Sequence, residues 1–461
     1  MSTAAAPRRA FVLGGGVAGL AAAFGLAERG FRTDLLESRR WCGGRAFSFD
    51  DKLTGERLDN GPHAMLGCYH ATRALLRRLG TEGLFAHDRA LRMAYRTNDG
   101  RVDQLALRSW PVPLAMPFGL FGLQLPFGTK LRALWGMSTV AWGARAAWTL
   151  QDWLRARRQH GAPDAFLWRP LCRAIMNVEP DECAARDFLA TLREAFLGRA
   201  GTAAFWLPLR PWGEIFGDPA PAALAKAGAN LRTGARVIGL ERRDGAVVAI
   251  VLNDGERIEV GPQDLVVSAM PWFALKSLVP DLAAGFGALR SAPIVTAHFR
   301  IAETAPALPS EGPVVALVDG DPFHFVLRTP GADARAFALL SGGNRIFDGM
   351  SVAEIEQAAR AQLARHYPGV PADVAATVRI SKESLATFVA APGNRALRPV
   401  PGRLPNGPSN LFVCGDWTDT RLPATLEGAA RSAQAMLQRV GDAALSRVRP
   451  ADRATPPVPP R

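Results

Sequence analysis

The apolar positions at the start of the chain come in blocks rather than in alternation. Ala10-Phe11-Val12-Leu13 is an unbroken apolar run that stops at Gly14-Gly15-Gly16, and a small-residue apolar stretch then continues past Gly19 to Arg29. Continuous apolar runs of this length mark strands buried on both faces, and the alanine-rich stretch predicts a buried helix. Phe31 to Leu36 repeats the strand pattern and ends on Glu37. Leu75, Leu76 and Leu79 recur at helical spacing and Gly80 follows them, which predicts a helix over 70–79. Between Arg236 and Ala269 the pattern becomes a meander, with turns at Asp244-Gly245 and Asn253-Asp254-Gly255. The last strand of this stretch, Leu265-Val266-Val267, is uniformly apolar and predicts a return to a parallel sheet. Strands over Ile294–Ile301 and Ala336–Leu340 and a helix from Val352 to His366 follow. A last strand at Leu411-Phe412-Val413 leads into a helix that runs to about Leu445.

One stretch breaks this rhythm. Ser109 to Thr129 holds 21 residues without a charge, a length that could cross a bilayer. Pro111, Pro113, Pro117 and Pro126 interrupt it and argue against a spanning helix. Lys130 to Trp153 is expected to be helical, with Trp135 and Trp142 on one face and Arg132, Arg145, Arg155 and Arg157 able to reach lipid headgroups. The aromatic face is either the core of a helical cap or a membrane-docking surface.

The glycines of the first block are spaced Gly14-x-Gly16-x-x-Gly19, directly after a strand and at the start of a helix, and Glu37 stands 18 residues further on. That register predicts a dinucleotide site: the turn brings backbone close to a pyrophosphate, the helix end faces the anion, and Glu37 accepts hydrogen bonds from the adenosine ribose. Pro7-Arg8-Arg9 before an apolar stretch superficially matches a twin-arginine export signal. No small-residue cleavage site follows, and removal would delete the glycines.

Composition narrows the picture further. The 461 residues suffice for two or three domains, and 48% hydrophobic content is that of a globular protein. The formal charge of +13 is almost all arginine and is dispersed, which favours a weak pull toward an anionic membrane surface and no nucleic-acid role. Cys42, Cys68, Cys172, Cys183 and Cys414 form no Cys-x-x-Cys pair, so reduced thiols in a cytoplasmic setting and no metal site are expected. Ser446 to Arg461 holds five prolines without apolar periodicity and is expected to be disordered.

Two later segments choose between nicotinamide and flavin. Gly43-Gly44-Arg45 lies where small residues and an arginine can accompany the pyrophosphate. Gly415-Asp416, after a strand and before a helix, offers an acid and backbone amides to a ribityl chain. FAD is therefore the expected cofactor. Across nearly its whole length the chain resembles the flavin-dependent amine oxidase and phytoene desaturase superfamily. Leu58-Asp59-Asn60-Gly61-Pro62-His63-Ala64-Met65-Leu66-Gly67-Cys68-Tyr69, Asn177, and Gly415-Asp416-Trp417-Thr418 through Glu427-Gly428-Ala429 narrow the resemblance to the hydroxysqualene dehydroxylases. The sequence departs from that family at Pro62, at Asn177-Val178-Glu179-Pro180 and at Thr202-Ala203.

The resemblance implies an α/β fold: a Rossmann-like FAD-binding domain with a discontinuous α+β substrate domain and a helical cap. Residues 1–75, 225–280 and 385–445 would bind FAD, 76–224 would form the cap and membrane-facing region, and 281–384 the substrate domain. Cofactor contacts are expected from Gly14, Gly16, Gly19, Glu37, Gly44, Arg45, Val237, Gly415, Asp416, Glu427 and Gly428, with Glu427 also a candidate cap of the C-terminal helix. The implied reaction is reductive removal of an allylic hydroxyl from hydroxysqualene, with His63 as the acid and Asp59 as its orienting partner. An apolar isoprenoid substrate, an unspecified electron donor and peripheral attachment to the inner membrane complete the expectation. The alternatives are a carotenoid-type desaturase, an amine oxidase, which only three tyrosines disfavour, and a non-enzymatic flavin-binding protein.

Overall fold

The architecture is that of a computed structural model, which describes residues 8–305, 307–343, 345–368 and 375–446. The apolar blocks of the sequence become the centre of a six-stranded sheet. Its order is Ala229–Thr233, Arg32–Glu37, Arg9–Leu13, Leu265–Ser268, Leu411–Val413 and Gly402–Arg403, with only the last pair antiparallel. Val12, Leu13, Leu35, Val266 and Val267 are fully buried, as strands covered on both faces require. Helix Val17–Ala27 lies over this sheet and packs against helix Leu426–Ser446. The approach is close because Gly25 has no side chain: a Cβ there would stand 2.2 Å from Leu437 Cδ1.

Most of the predicted elements form where the pattern places them. Helices His70–Leu79 and Val352–His366 match their expected bounds, and Gly80 ends the first in the left-handed conformation. The meander forms as Val237–Arg243, Ala246–Leu252 and Arg257–Glu259, with Asp244 and Gly245 both at positive φ in its first turn. The proline-rich tail from residue 447 lies outside the described residues.

The second large sheet has seven strands in the order Ala375–Phe388, Ser291–Ile301, Ala336–Gly342, Phe325–Arg328, Val314–Leu317, Arg92–Arg96 and Val102–Ala106. Its last two strands come from the stretch expected to be cap. Arg92–Arg96 pairs in parallel with Val314–Leu317, a long-range pairing that no local pattern encodes.

The uncharged stretch differs from expectation in two ways. Pro117 lies inside helix Val112–Gly122 without ending it. The single helix expected from Lys130 to Trp153 is instead helix Phe127–Ser138, a tight turn over Thr139–Trp142, a break at Gly143 and helix Leu150–Ala156. The break is capped by Thr149, whose hydroxyl accepts the Asp152 N–H at 3.1 Å while its own N–H and O–H donate to the Asp152 carboxylate. Trp135 and Trp142 nonetheless meet edge to face, 5.4 Å apart.

Candidate flavin and substrate site

The first glycine turn is shaped by two positions that exclude a side chain. Gly14 holds φ +102°, and a Cβ on Gly19 would fall 1.8 Å from the Gly14 carbonyl oxygen. Gly16 caps helix Val17–Ala27 without a side-chain hydrogen bond, and no acid occupies the first turn. The first amides of the helix are thus left for an anion.

A second glycine turn faces the first. Gly43 N–H donates to Gly15 O at 2.9 Å, and a Cβ on Gly44 would stand 3.1 Å from Gly16 Cα. Glu37 secures the arrangement: Oε2 accepts the Gly15 N–H at 2.6 Å, and Oε1 accepts the Arg39 N–H at 2.7 Å and the Ser38 hydroxyl at 3.0 Å. Arg45 then reaches 371 residues along the chain to ion-pair with Asp416 Oδ1 at 2.6 Å, and donates to the Ala386 carbonyl. The amino-terminal loop and the carboxy-terminal Gly415-Asp416 segment therefore share one wall.

These groups line one end of a cavity of about 820 Å³. Gly14, Gly16, Glu37, Gly44, Arg45, Val237, Gly415 and Asp416 all border it, joined by Arg39 and Arg236, which the motif reading missed. Arg39 was within reach of that reading, two positions past the ribose acid. A cradle from which side chains are excluded, helix amides and a paired Arg and Asp fit a flavin dinucleotide. Away from the cradle residues the lining is largely apolar, with Leu91, Met93, Ile175, Phe196 and Phe325 among it.

Several expected contacts lie elsewhere. Gly19 serves helix packing rather than the cavity wall. Glu427 turns away from the cavity and caps helix His70–Leu79, accepting the N–H groups of Ala71 at 3.1 Å and Thr72 at 2.9 Å and the Thr72 hydroxyl at 3.0 Å. Gly428 lies in the same turn, its N–H on Thr425 Oγ1. Glu427 thus departs from both expectations, since the helix it caps is His70–Leu79 and not the C-terminal helix that carries it.

The expected pairing of His63 with Asp59 does not form. His63 lines the cavity with its ring 5.8 Å from that of Trp212, while Asp59 Oδ1 accepts from Ser48 Oγ at 2.7 Å and from the Trp212 N–H at 2.8 Å. Burial, helped by the nearby Arg45 guanidinium, pushes the His63 imidazole down to about 4, so it is neutral at pH 7. A neutral imidazole can hydrogen-bond a substrate but does not hold a proton ready for it. Asp59 is buried behind the cavity wall, its Oδ2 without a partner, and burial pushes its carboxyl up to about 7 against the hydrogen bonds of Ser48 and Trp212. Asn177 ends helix Arg169–Met176 in the left-handed conformation and donates to Thr387 Oγ1 at 2.8 Å, at the edge of the cavity.

The cysteines near the cradle are thiols. Burial pushes Cys42, Cys68 and Cys414 up to about 12, which leaves no thiolate for a covalent flavin link. Among the described residues no helix is long and apolar enough to cross a membrane.

Comparison with known proteins agrees with this geometry. The profile of the flavin containing amine oxidoreductase family matches residues 17–440. The chain is 31% identical over 433 residues to the hydroxysqualene dehydroxylase of Rhodopseudomonas palustris, covering 91% of this chain and 95% of that protein. It is 30% identical over 447 residues to the hydroxysqualene dehydroxylase of Sinorhizobium fredii, covering 95% and 99%. An oxidoreductase from Methanosarcina mazei superposes with a TM-score of 0.71 at 17% identity, over 94% of this chain and 100% of that one, which speaks to the fold alone.

Proposed function

The chain belongs to the flavin containing amine oxidoreductase family, and on that premise we propose that it is an FAD-dependent enzyme converting hydroxysqualene to squalene by reductive dehydroxylation. The observation that carries the reading is the single cavity that joins the glycine cradle to an apolar chamber. A long hydrocarbon fits such a chamber, and water excluded from it cannot capture an electron-poor allylic carbon.

Reduced FAD, when bound, supplies a hydride to that carbon. The protein's own part is to hold and orient. Gly14, Gly16, Gly43 and Gly44 keep the cradle open, and Arg45 with Asp416 closes the two chain segments on each other. His63 offers a neutral imidazole to the polar end of the substrate, and the apolar lining fixes the chain on either side of the reacting carbon. The test is a single turnover without oxygen. Chemically reduced, flavin-loaded protein should be reoxidised by hydroxysqualene with one squalene formed per flavin. Reduction of the oxidised protein by phytoene, with no response to hydroxysqualene, would favour a desaturase instead.

The second part of the proposal concerns delivery. No acidic residue lies between Asp103 and Asp152, while Trp110, Leu114, Phe118, Phe127, Trp135 and Trp142 are exposed there. Arg108, Lys130, Arg145 and Arg157 each stand within 6 Å of an aromatic ring of this stretch. Apolar tips collared by cations suit the surface of an anionic bilayer, from which an isoprenoid enters.

A further inference from the structure

Removal of a hydroxyl needs a proton at the departing oxygen, and neither His63, the expected acid, nor Asp59, its expected partner, supplies it. Burial and the Arg45 guanidinium disfavour the cation that a protonated His63 would be, a cost that a neutral protonated carboxyl does not bear, and Asp59 is walled off from the cavity. Three carboxylates line the cavity among the described residues: Glu37, Asp416 and Glu383. Two are already committed. Glu37 is held by two backbone N–H groups and a hydroxyl, and Asp416 by the Arg45 guanidinium.

Glu383 differs from both. Among the described residues it has no ion-pair partner, and its only hydrogen bonds there are long, 3.3 Å from Asn60 Nδ2 to Oε2 and 3.3 Å from the Leu385 N–H to Oε1. Strand Ala375–Phe388 places it opposite Ile294, which borders the apolar chamber. Three residues later Ala386 accepts from Arg45, at the flavin end. Glu383 therefore stands where the polar and apolar halves of the cavity meet. Its wall is firm, because the Ser381 hydroxyl donates to the Asn60 carbonyl at 2.6 Å and fixes the loop that carries His63. Leu385 beside it is 40% exposed, so the segment also touches solvent.

Resting on the dehydroxylation reading, we propose that Glu383 is the acid that protonates the leaving hydroxyl. The proton passes from the Glu383 carboxyl to the substrate oxygen. The allylic C–O bond breaks with its electron pair going to that oxygen, which leaves as water. A bound reduced flavin would supply the hydride to the carbon and be oxidised in turn, and the Glu383 carboxylate regains a proton from solvent.

The experiment uses flavin-loaded wild type, Glu383→Gln and Glu383→Leu. With Glu383→Gln, single-turnover squalene formation should fall at least about 100-fold, the scale of general acid catalysis, at unchanged flavin content and melting temperature. In the oxidised proteins, where no turnover occurs, Glu383→Gln should bind hydroxysqualene within about threefold of wild type. Glu383→Leu should bind it about tenfold more weakly, the upper range for the loss of one hydrogen bond, and bind squalene as wild type does. Turnover by Glu383→Gln within threefold of wild type, or undiminished alcohol binding by Glu383→Leu, overturns the assignment. If wild type itself yields no squalene, the dehydroxylation reading falls, and the binding comparison alone decides whether Glu383 faces the hydroxyl.

Discussion

Asp59 illustrates how a single residue can carry a charge state that its neighbours in sequence do not reveal. Its ordinary carboxyl value of 3.8 is pushed up to about 7 by burial, so the folded chain holds a proton that the unfolded chain has released. Stability from this group is fully present below pH 3.8 and is lost as the pH rises toward about 7. Asp59→Asn keeps an acceptor for Ser48 and Trp212 and removes the ionisation. Relative to wild type, the variant should gain at least about 1 kcal/mol between pH 4 and pH 8, read from denaturant midpoints; a difference that does not vary with pH refutes it. The glycines were legible in the sequence because their demand is local, a positive φ or a missing side chain. The burial of Asp59 was not, because Trp212, which covers it, lies 153 residues away. Glu383 was missed for the same reason: nothing in Ser381-Lys382-Glu383 distinguishes a cavity wall from a solvated strand.

Among the elements, helix His70–Leu79 was read correctly in extent but not in what starts it. Its cap comes from Glu427, 356 residues from Ala71. Glu427→Ala leaves two helix N–H groups buried and unpaired, which costs about 2–4 kcal/mol. Thermal unfolding should register the loss while flavin affinity well below the transition stays within about twofold; a large loss of flavin affinity would return Glu427 to the cofactor. The exposed aromatic stretch makes the opposite kind of prediction, because its side chains hold nothing inside the protein. Leu114, Phe118 and Phe127 are 63%, 53% and 66% exposed, whereas Leu120 between them is buried. Changing the three exposed residues to serine should lower partitioning onto anionic vesicles at least about tenfold with an unchanged melting temperature. Equal sedimentation of variant and wild type with such vesicles would rule out docking through this face. Proline content alone overstated how broken this region is, since Pro117 forfeits one hydrogen bond and the helix continues.

Across the whole molecule, the dinucleotide half was readable from the amino terminus, and the distant Gly415-Asp416 segment joins it as expected. The substrate half was less so, because its sheet recruits Arg92–Arg96 across more than 200 residues to pair with Val314–Leu317, and Val102–Ala106 joins by pairing with Arg92–Arg96. Arg45 is where the long-range closure concentrates. Arg45→Ala breaks the tie to Asp416 and to the Ala386 carbonyl at once, and should weaken FAD retention at least about tenfold. Excess FAD, worth about 2.7 kcal/mol at a hundred times its Kd, should raise the melting temperature of wild type more than that of the variant. Equal shifts would show that the ion pair does not serve the cofactor.

The order of strands in the central sheet also sets a timetable for synthesis. Leu265–Ser268 emerges from the ribosome well before Leu411–Val413, the neighbour that covers its free edge. Until Leu411–Val413 is made, the nascent protein carries an unfinished sheet margin, apolar from Leu265 to Val267, and half a cofactor pocket. Both halves of the FAD cradle can therefore meet only after Gly415-Asp416 has left the ribosome, 371 residues behind Arg45.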